Sequence, residues 1–218
     1  NGGPTTAFPA DIPFSGIIDI VVNASNGNDY IFISDFTQLL PSLTVNGDAG
    51  NDIVILGNIH FKPDAHLNID LQNDPGTPGE DEISINALVV LSGSGTAILK
   101  ASAGVYLANL TTENGDIVIE VNQQAVPLAA ATGLLMQDNT VQITGTGALI
   151  IKATRGQTDG PAIQTFGSSV LSTNSGNLTI EGYAGTGTGS GNRGIEIKAQ
   201  ISSVNGNIFL KGTGGGSG

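Results

Sequence analysis

Apolar residues alternate with polar ones in short bursts along the whole chain. "IIDIVV", "YIFI", "DIVIL", "TAILKA", "DIVIEV", "ALIIKA", "NLTIEG" and "NIFLKG" are separated by clusters of Gly, Asn and Ser. A period of two over three to five residues predicts a strand with one buried face. No segment carries a sustained helical period. The stretch "QAVPLAAATGLLMQ" (124–137) has helix-forming composition and is expected as a short helix, a loop excursion or an apolar coil.

The bursts recur in register. Aligned on the glycine ahead of each strand, "GTAILKA", "GDIVIEV", "GALIIKA", "GNLTIEG" and "GNIFLKG" begin at Gly95, Gly115, Gly147, Gly176 and Gly206. From Gly115 onward the spacings are 32, 29 and 30 residues. A second series begins at Gly104, Gly133, Gly160 and Gly194, and a third short strand near Leu110, Val141, Leu171 and Ile201 completes the unit. A unit of short strands this size cannot bury its apolar face alone, whereas stacked copies can, each strand pairing in parallel with its counterpart one coil away. The expected fold is all-β, a right-handed parallel β-helix with coils of about 23–34 residues. A β-sandwich, also built of short strands, does not require the long fixed period.

Composition agrees with a narrow aliphatic core. The 218 residues include 32 Gly, no Trp and only 5% aromatics, while Val, Ile and Leu recur throughout, which favours strands. There is no Cys, so neither disulfides nor thiolate metal sites are available. No apolar run is long enough to span a membrane, so membrane insertion is not expected.

Charge divides the chain. Residues 1–120 hold 15 of the 19 acids and two of the bases, Lys62 and Lys100; residues 121–218 hold four acids and five bases. The acidic half lacks the Lys/Arg footprint that nucleic acid or an anionic membrane requires. Three regions of one continuous domain are expected: a lead-in or cap (1–22), acidic coils (23–120) and Gly-rich coils (121–218). The chain opens on Asn and ends inside a repeat, and is read as an excised fragment truncated at its C-terminus.

In the acidic half, "NGNDYIFI", "GDAGNDIVIL" and "GEDEISI" share Gly-x-Asp leading into a strand. The middle copy fits the nonapeptide G-G-x-G-x-D-x-U-x except for Asp48 at the second Gly. It resembles the calcium-binding repeats of the RTX family, which implies Asp29, Asp52 and Asp81 as candidate calcium ligands stacked in consecutive coils. These signatures lie 23 and 29 residues apart, not in tandem, and Gly-x-Asp is also ordinary turn chemistry.

The half carrying "NGDIVIEV" and "SGNLTIEG…GSGNRGIEI…ISSVNGNIFLKGTGGGSG" resembles the repeats of filamentous-haemagglutinin-type bacterial surface proteins. That resemblance implies a structural or adhesive segment of a large extracellular or cell-surface repeat protein. Its partners are then neighbouring coils of the same long chain and a cell-surface protein or glycan.

Other chemistry is thin. "HFKPDAH" places His60, Asp64 and His66 close in sequence as a possible Zn²⁺ set, but without the i,i+4 helical spacing of metalloproteases. The competing functional class is a carbohydrate-active β-helix enzyme, a polysaccharide lyase or glycoside hydrolase. It needs clustered carboxylates such as Glu80, Asp81 and Glu82, or a calcium with a nearby Arg or Lys as base. Arg155 and Arg193 lack carboxylate and His company at recognisable spacing. Neighbours on a strand point to opposite faces, which argues against the carboxylate cluster. The Gly runs "GTGTGSG" and "GTGGGSG" precede no helical pattern and are read as loops, not phosphate cradles.

Overall fold

The computed structural model describes residues 14–74, 76–187 and 191–215. Among them are nineteen strands and no helix. Eight form one sheet in the order β1 (Asp19–Asn23), β3 (Ser42–Asn46), β6 (Leu67–Asp70), β8 (Ala97–Ala101), β10 (Ile117–Val121), β13 (Leu149–Thr154), β16 (Leu178–Tyr183) and β19 (Ile208–Thr213).

The second sheet has eleven strands in two rows. One row is β2 (Tyr30–Ile33), β4 (Ile53–Leu56), β7 (Glu82–Leu91), β9 (Gly104–Thr112), β11 (Gly133–Gln137), β14 (Ile163–Phe166) and β17 (Ile195–Ile197). The other holds β5 (Ile59–His60), the second halves of β7 and β9, then β12 (Thr140–Ile143), β15 (Val170–Thr173) and β18 (Gln200–Ser203). The rows join because β7 and β9 run through the bend that elsewhere separates two strands; β7 carries an irregularity between Ile85 and Leu88 there.

Every strand pairing is parallel. Parallel neighbours need a long connection, and here the connection is one full rung of the stack. This is consistent with a parallel β-helix or solenoid and excludes the antiparallel sandwich. Along the first sheet the partners Asp19↔Ser42, Leu43↔Leu67, Leu67↔Ala97, Ala97↔Ile117, Ile117↔Leu149, Leu149↔Leu178 and Leu178↔Ile208 define the rungs. The rung from Ala97 to Ile117 is only 20 residues, shorter than the expected minimum of 23. Its corner has shrunk to Ser102 and Ala103 between β8 and β9.

Alternation puts one set of side chains inside. Leu67, Ala97, Ile117, Leu149 and Leu178 form one interior column, and Ile69, Leu99, Ile119, Ile151 and Ile180 another, all fully buried. From the facing rows come Val54, Ile83, Val105, Leu134 and Ile163, and Val89, Leu110, Val141 and Leu171. Removing a buried Leu or Ile side chain down to Ala costs about 2–5 kcal/mol, so each rung has a substantial share in the whole.

The first glycine series forms the stacked column expected of it. A Cβ on Gly115, Gly147, Gly176 or Gly206 would lie 2.0, 2.2, 1.8 or 2.0 Å from the carbonyl oxygen of the preceding member. The second series needs a correction. Gly104 pairs with Gly133, but the next two positions are Ala162 and Gly194; Gly160 lies two residues upstream, inside the corner. The third strand pairs as expected through Leu110, Val141, Leu171 and Ile201.

Residues 1–13 of the expected lead-in lie outside the described residues. The remainder supplies β1, which pairs with β3 as a full member of the first sheet. The 124–137 stretch is turns and loop followed by β11, not helix. Asn122 organises that loop: its Oδ1 accepts the Leu128 N–H at 2.6 Å, and its Nδ2 donates to the carbonyls of Leu128 and Thr154 at 3.2 and 3.1 Å.

Candidate functional site

The Gly-x-Asp signatures meet at one corner, where the first sheet hands the chain to β2, β4 and β7. Gly27-Asn28-Asp29, Gly50-Asn51-Asp52 and Gly79-Glu80-Asp81 lie one above another. Gly27 and Gly50 have φ of +134° and +139°, and a Cβ on Gly50 or Gly79 would lie 1.7 or 1.6 Å from the carbonyl oxygen one rung below. Only glycine fits the column.

The residues beside it bond rung to rung in both directions. The N–H of Asn51 donates to Asn28 Oδ1 at 3.0 Å, and that of Glu80 to Asn51 Oδ1 at 3.0 Å. The Asp column runs the opposite way: Asp29 N–H donates to Asp52 Oδ1 at 2.9 Å, and Asp52 N–H to Asp81 Oδ1 at 2.8 Å. Asp81 N–H donates to Ser102 Oγ at 3.0 Å, so Ser102 continues the column into the shortened corner. Asp74 bridges two rungs, its Oδ1 accepting from Gly50 N–H at 3.2 Å and its Oδ2 from Gly79 N–H at 2.9 Å.

Asp52 and Asp81 are buried, at 0% and 1% exposure. Burial raises the pKa of Asp52 above its ordinary 3.8, with the charges of Asp29, Asp74 and Asp48 adding to it and the Asp29 N–H opposing. Burial raises Asp81 to about 7 against its hydrogen bonds from Ser102 and Asp52. The geometry agrees with a neutral Asp81. Ser102 Oγ lies 2.6 Å from Asp81 Oδ2 and 2.5 Å from Gly79 O, and one hydroxyl proton cannot serve both well. With the proton on Asp81 Oδ2, the acid donates to Ser102 and Ser102 donates to Gly79.

The second carboxylate oxygens of Asp29 and Asp52 are buried without a hydrogen-bond partner. Asp52 Oδ2 lies against Gly47 and Leu71: a Cβ on Gly47 would be 2.8 Å from it and 3.0 Å from Leu71 Cδ2. Asp29, Asp52 and Asp81 are thus stacked one per rung, with the Oδ1 atoms of Asp52 and Asp81 engaged by backbone. Among the described residues no three His, Cys, Asp or Glu side chains converge as a metal-binding group.

The remaining candidates are dispersed. His60 is exposed on β5, and His66 Nδ1 lies 2.9 Å from Thr96 Oγ1 in the following corner. Asp64 Oδ1 accepts Ser94 N–H at 2.8 Å and Ser94 Oγ–H at 2.9 Å, which lowers its pKa. Glu80 is exposed in the turn and Glu82 faces outward on β7, while Asp81 between them turns inward. Arg155 anchors its own corner, donating to the carbonyls of Thr132, Pro161 and Asp159; burial lowers its pKa. Its recess, about 120 Å³, is shared with Tyr106, Leu135 and Gln164. Arg193 and Lys198 both pair with Glu196, at 3.1 and 3.0 Å. The described part of "GTGTGSG" is bend, turn and coil.

One feature escaped the sequence reading. On the outer face of the first sheet, Asp70, Lys100, Glu120, Lys152, Glu181 and Lys211 are consecutive register partners of alternating sign. Lys100 Nζ lies 3.8 Å from both Asp70 and Glu120. Lys211 Nζ sits 5.1 Å above the Tyr183 ring, whose hydroxyl donates to Glu181 at 2.8 Å. The signal was present: the fifth residue after each aligned glycine is Lys, Glu, Lys, Glu, Lys. No family model matches the chain, and no curated protein or solved structure matches it.

Proposed function

We propose that the chain is a right-handed parallel β-helix that serves as a structural and adhesive segment of a large bacterial cell-surface or secreted repeat protein. The observation carrying this reading is where the corner side chains point. The Asn and Asp columns bond to the rung above or below, and Lys100 of the outer charge column pairs with acids on both neighbouring rungs, so stacking itself is what these polar residues maintain. The resemblance of residues 121–218 to filamentous-haemagglutinin-type repeats supports the same role. Its partners are neighbouring coils of the same chain and a cell-surface protein or glycan. Calcium enters as a stabiliser of the acidic coils, supported by the unpartnered buried oxygens of Asp29 and Asp52.

Binding of the purified chain to intact cells, saturable and retained after denaturation-resistant handling, is the expected result. Depolymerisation of an acidic polysaccharide, lost in D81N or R193Q, would replace this reading with that of a carbohydrate-active enzyme. Calcium is tested by melting with millimolar Ca²⁺ and with chelator. At a thousandfold excess over Kd a bound ion adds about 4 kcal/mol. An unchanged melting curve removes Asp29, Asp52 and Asp81 as ligands.

A further inference from the structure

We infer that the outer face of the first sheet is a self-recognition surface on which a second copy of this chain docks with its stack reversed. The column Asp70–Lys100–Glu120–Lys152–Glu181–Lys211 has an even number of alternating charges. Read backwards, every position carries the opposite sign. Rotation by half a turn about an axis parallel to the strands, passing between β10 and β13, lays the column on its own reverse. Glu120 then faces Lys152 of the second copy, Lys100 faces Glu181, and Asp70 faces Lys211. Two copies aligned in the same direction would place like charges together, so the surface also rejects the wrong orientation.

The neighbouring outward column behaves consistently under the same rotation. It runs Asn68, Ile98, Val118, Ile150, Thr179, Phe209, again through consecutive register partners. The axis sets Val118 against Ile150 and Ile98 against Thr179 of the second copy, supplying apolar contact beside the charges. Phe209 is 51% exposed and faces Asn68.

Charge balance favours this face over the acidic surfaces of residues 1–120, which hold 15 of the 19 acids and two bases. The chain carries a net charge of −12, yet this column holds three of its seven Lys and Arg residues and three acids, and is neutral. Six strands at about 4.8 Å and five residues at about 3.3 Å give roughly 500 Å² per copy. That places the contact in the weak, reversible class.

Sedimentation velocity of the 218-residue chain over a range of concentrations is the test. The expected result is a reversible dimer at low ionic strength that dissociates as salt screens the column. E120K and K152E each set like charges opposite one another twice, and each is expected to weaken the dimer at least about tenfold. Mixed together, these two variants restore opposite charges at both positions and form the heterodimer. Circular dichroism confirms that each remains folded, and the parent chain's own behaviour needs no variant. A parent chain monomeric at every concentration and salt overturns the proposal, as does a mixture that associates no better than its components.

Discussion

Asp52 donates its backbone N–H to the carboxylate of Asp81 one rung above, at 2.8 Å, while both side chains are shut away from water. The folded chain therefore prefers Asp81 protonated, with its pKa raised from 3.8 to about 7. Between those values the folded state binds more protons than the unfolded one, so stability from this group falls as pH rises from about 4 to 7 and is level above that. D81N keeps the oxygen that accepts from Asp52 and supplies an amide donor to Ser102. Urea unfolding should find D81N close to the parent at pH 4 and more stable by about 2–4 kcal/mol at pH 8. Parallel pH profiles for the two proteins would show that Asp81 is ionised in the fold.

The glycine columns predict a steep contrast between two Gly→Ala changes. G147A sets a Cβ 2.2 Å from the Gly115 carbonyl oxygen, a backbone atom that cannot rotate away. Loss of about 1–3 kcal/mol or more is expected from the forced backbone shift. G191A meets nothing nearer than 3.7 Å and should stay within about 0.5 kcal/mol of the parent. Thermal melts of the two variants decide it.

Lys100 sits between two acids of the outer column, at 3.8 Å from each, with a third of its side chain exposed. K100E puts three acids on adjacent rungs and should cost about 1 kcal/mol or more at low salt. At about 1 M salt, where the screening length is near 3 Å, most of that loss should disappear. A loss independent of salt would trace instead to packing of the Lys stem, and K100M would then be neutral.

Asn122 combines a left-handed backbone, φ 55°, with four side-chain hydrogen bonds to its own loop and to Thr154. N122G retains the backbone and removes the bonds, whereas N122A removes both. Faster amide exchange across residues 123–131 is expected in both, with N122A the less stable by about 1 kcal/mol. Unchanged exchange in N122G would mean that the loop holds itself without the carboxamide.

These features differ in how openly the chain displays them. Gly95, Gly115, Gly147, Gly176 and Gly206 were legible because each precedes an inward-facing aliphatic residue by two positions in a corner of nearly constant length. Gly160 misled because its corner varies in length: residues 122–132 and 155–162 fill equivalent places, so a glycine can drift while Ala162 takes the stacked position. Asp29, Asp52 and Asp81 were recognisable as a vertical set. Their hydrogen bonds were not, since a carboxylate accepting the next rung's N–H leaves no mark beyond the Gly-x-Asp spacing. Ser102 was invisible for the same reason: only stacking reveals that a serine in a two-residue corner occupies an aspartate's place. The charge column shows only when the fifth residues of successive copies are compared.

Parallel pairing gives the molecule an uneven built-in ruler. Its strands lie across the stack and their hydrogen bonds run along it, so tension on the two ends opens each rung one bond after another. Released chain extends by about 3.3–3.6 Å per residue. The partners Ala97↔Ile117 and Ile117↔Leu149 therefore mark adjacent steps of about 70 and 110 Å. A force–extension trace of this protein is expected to show unequal teeth, whose order identifies which end is unravelling.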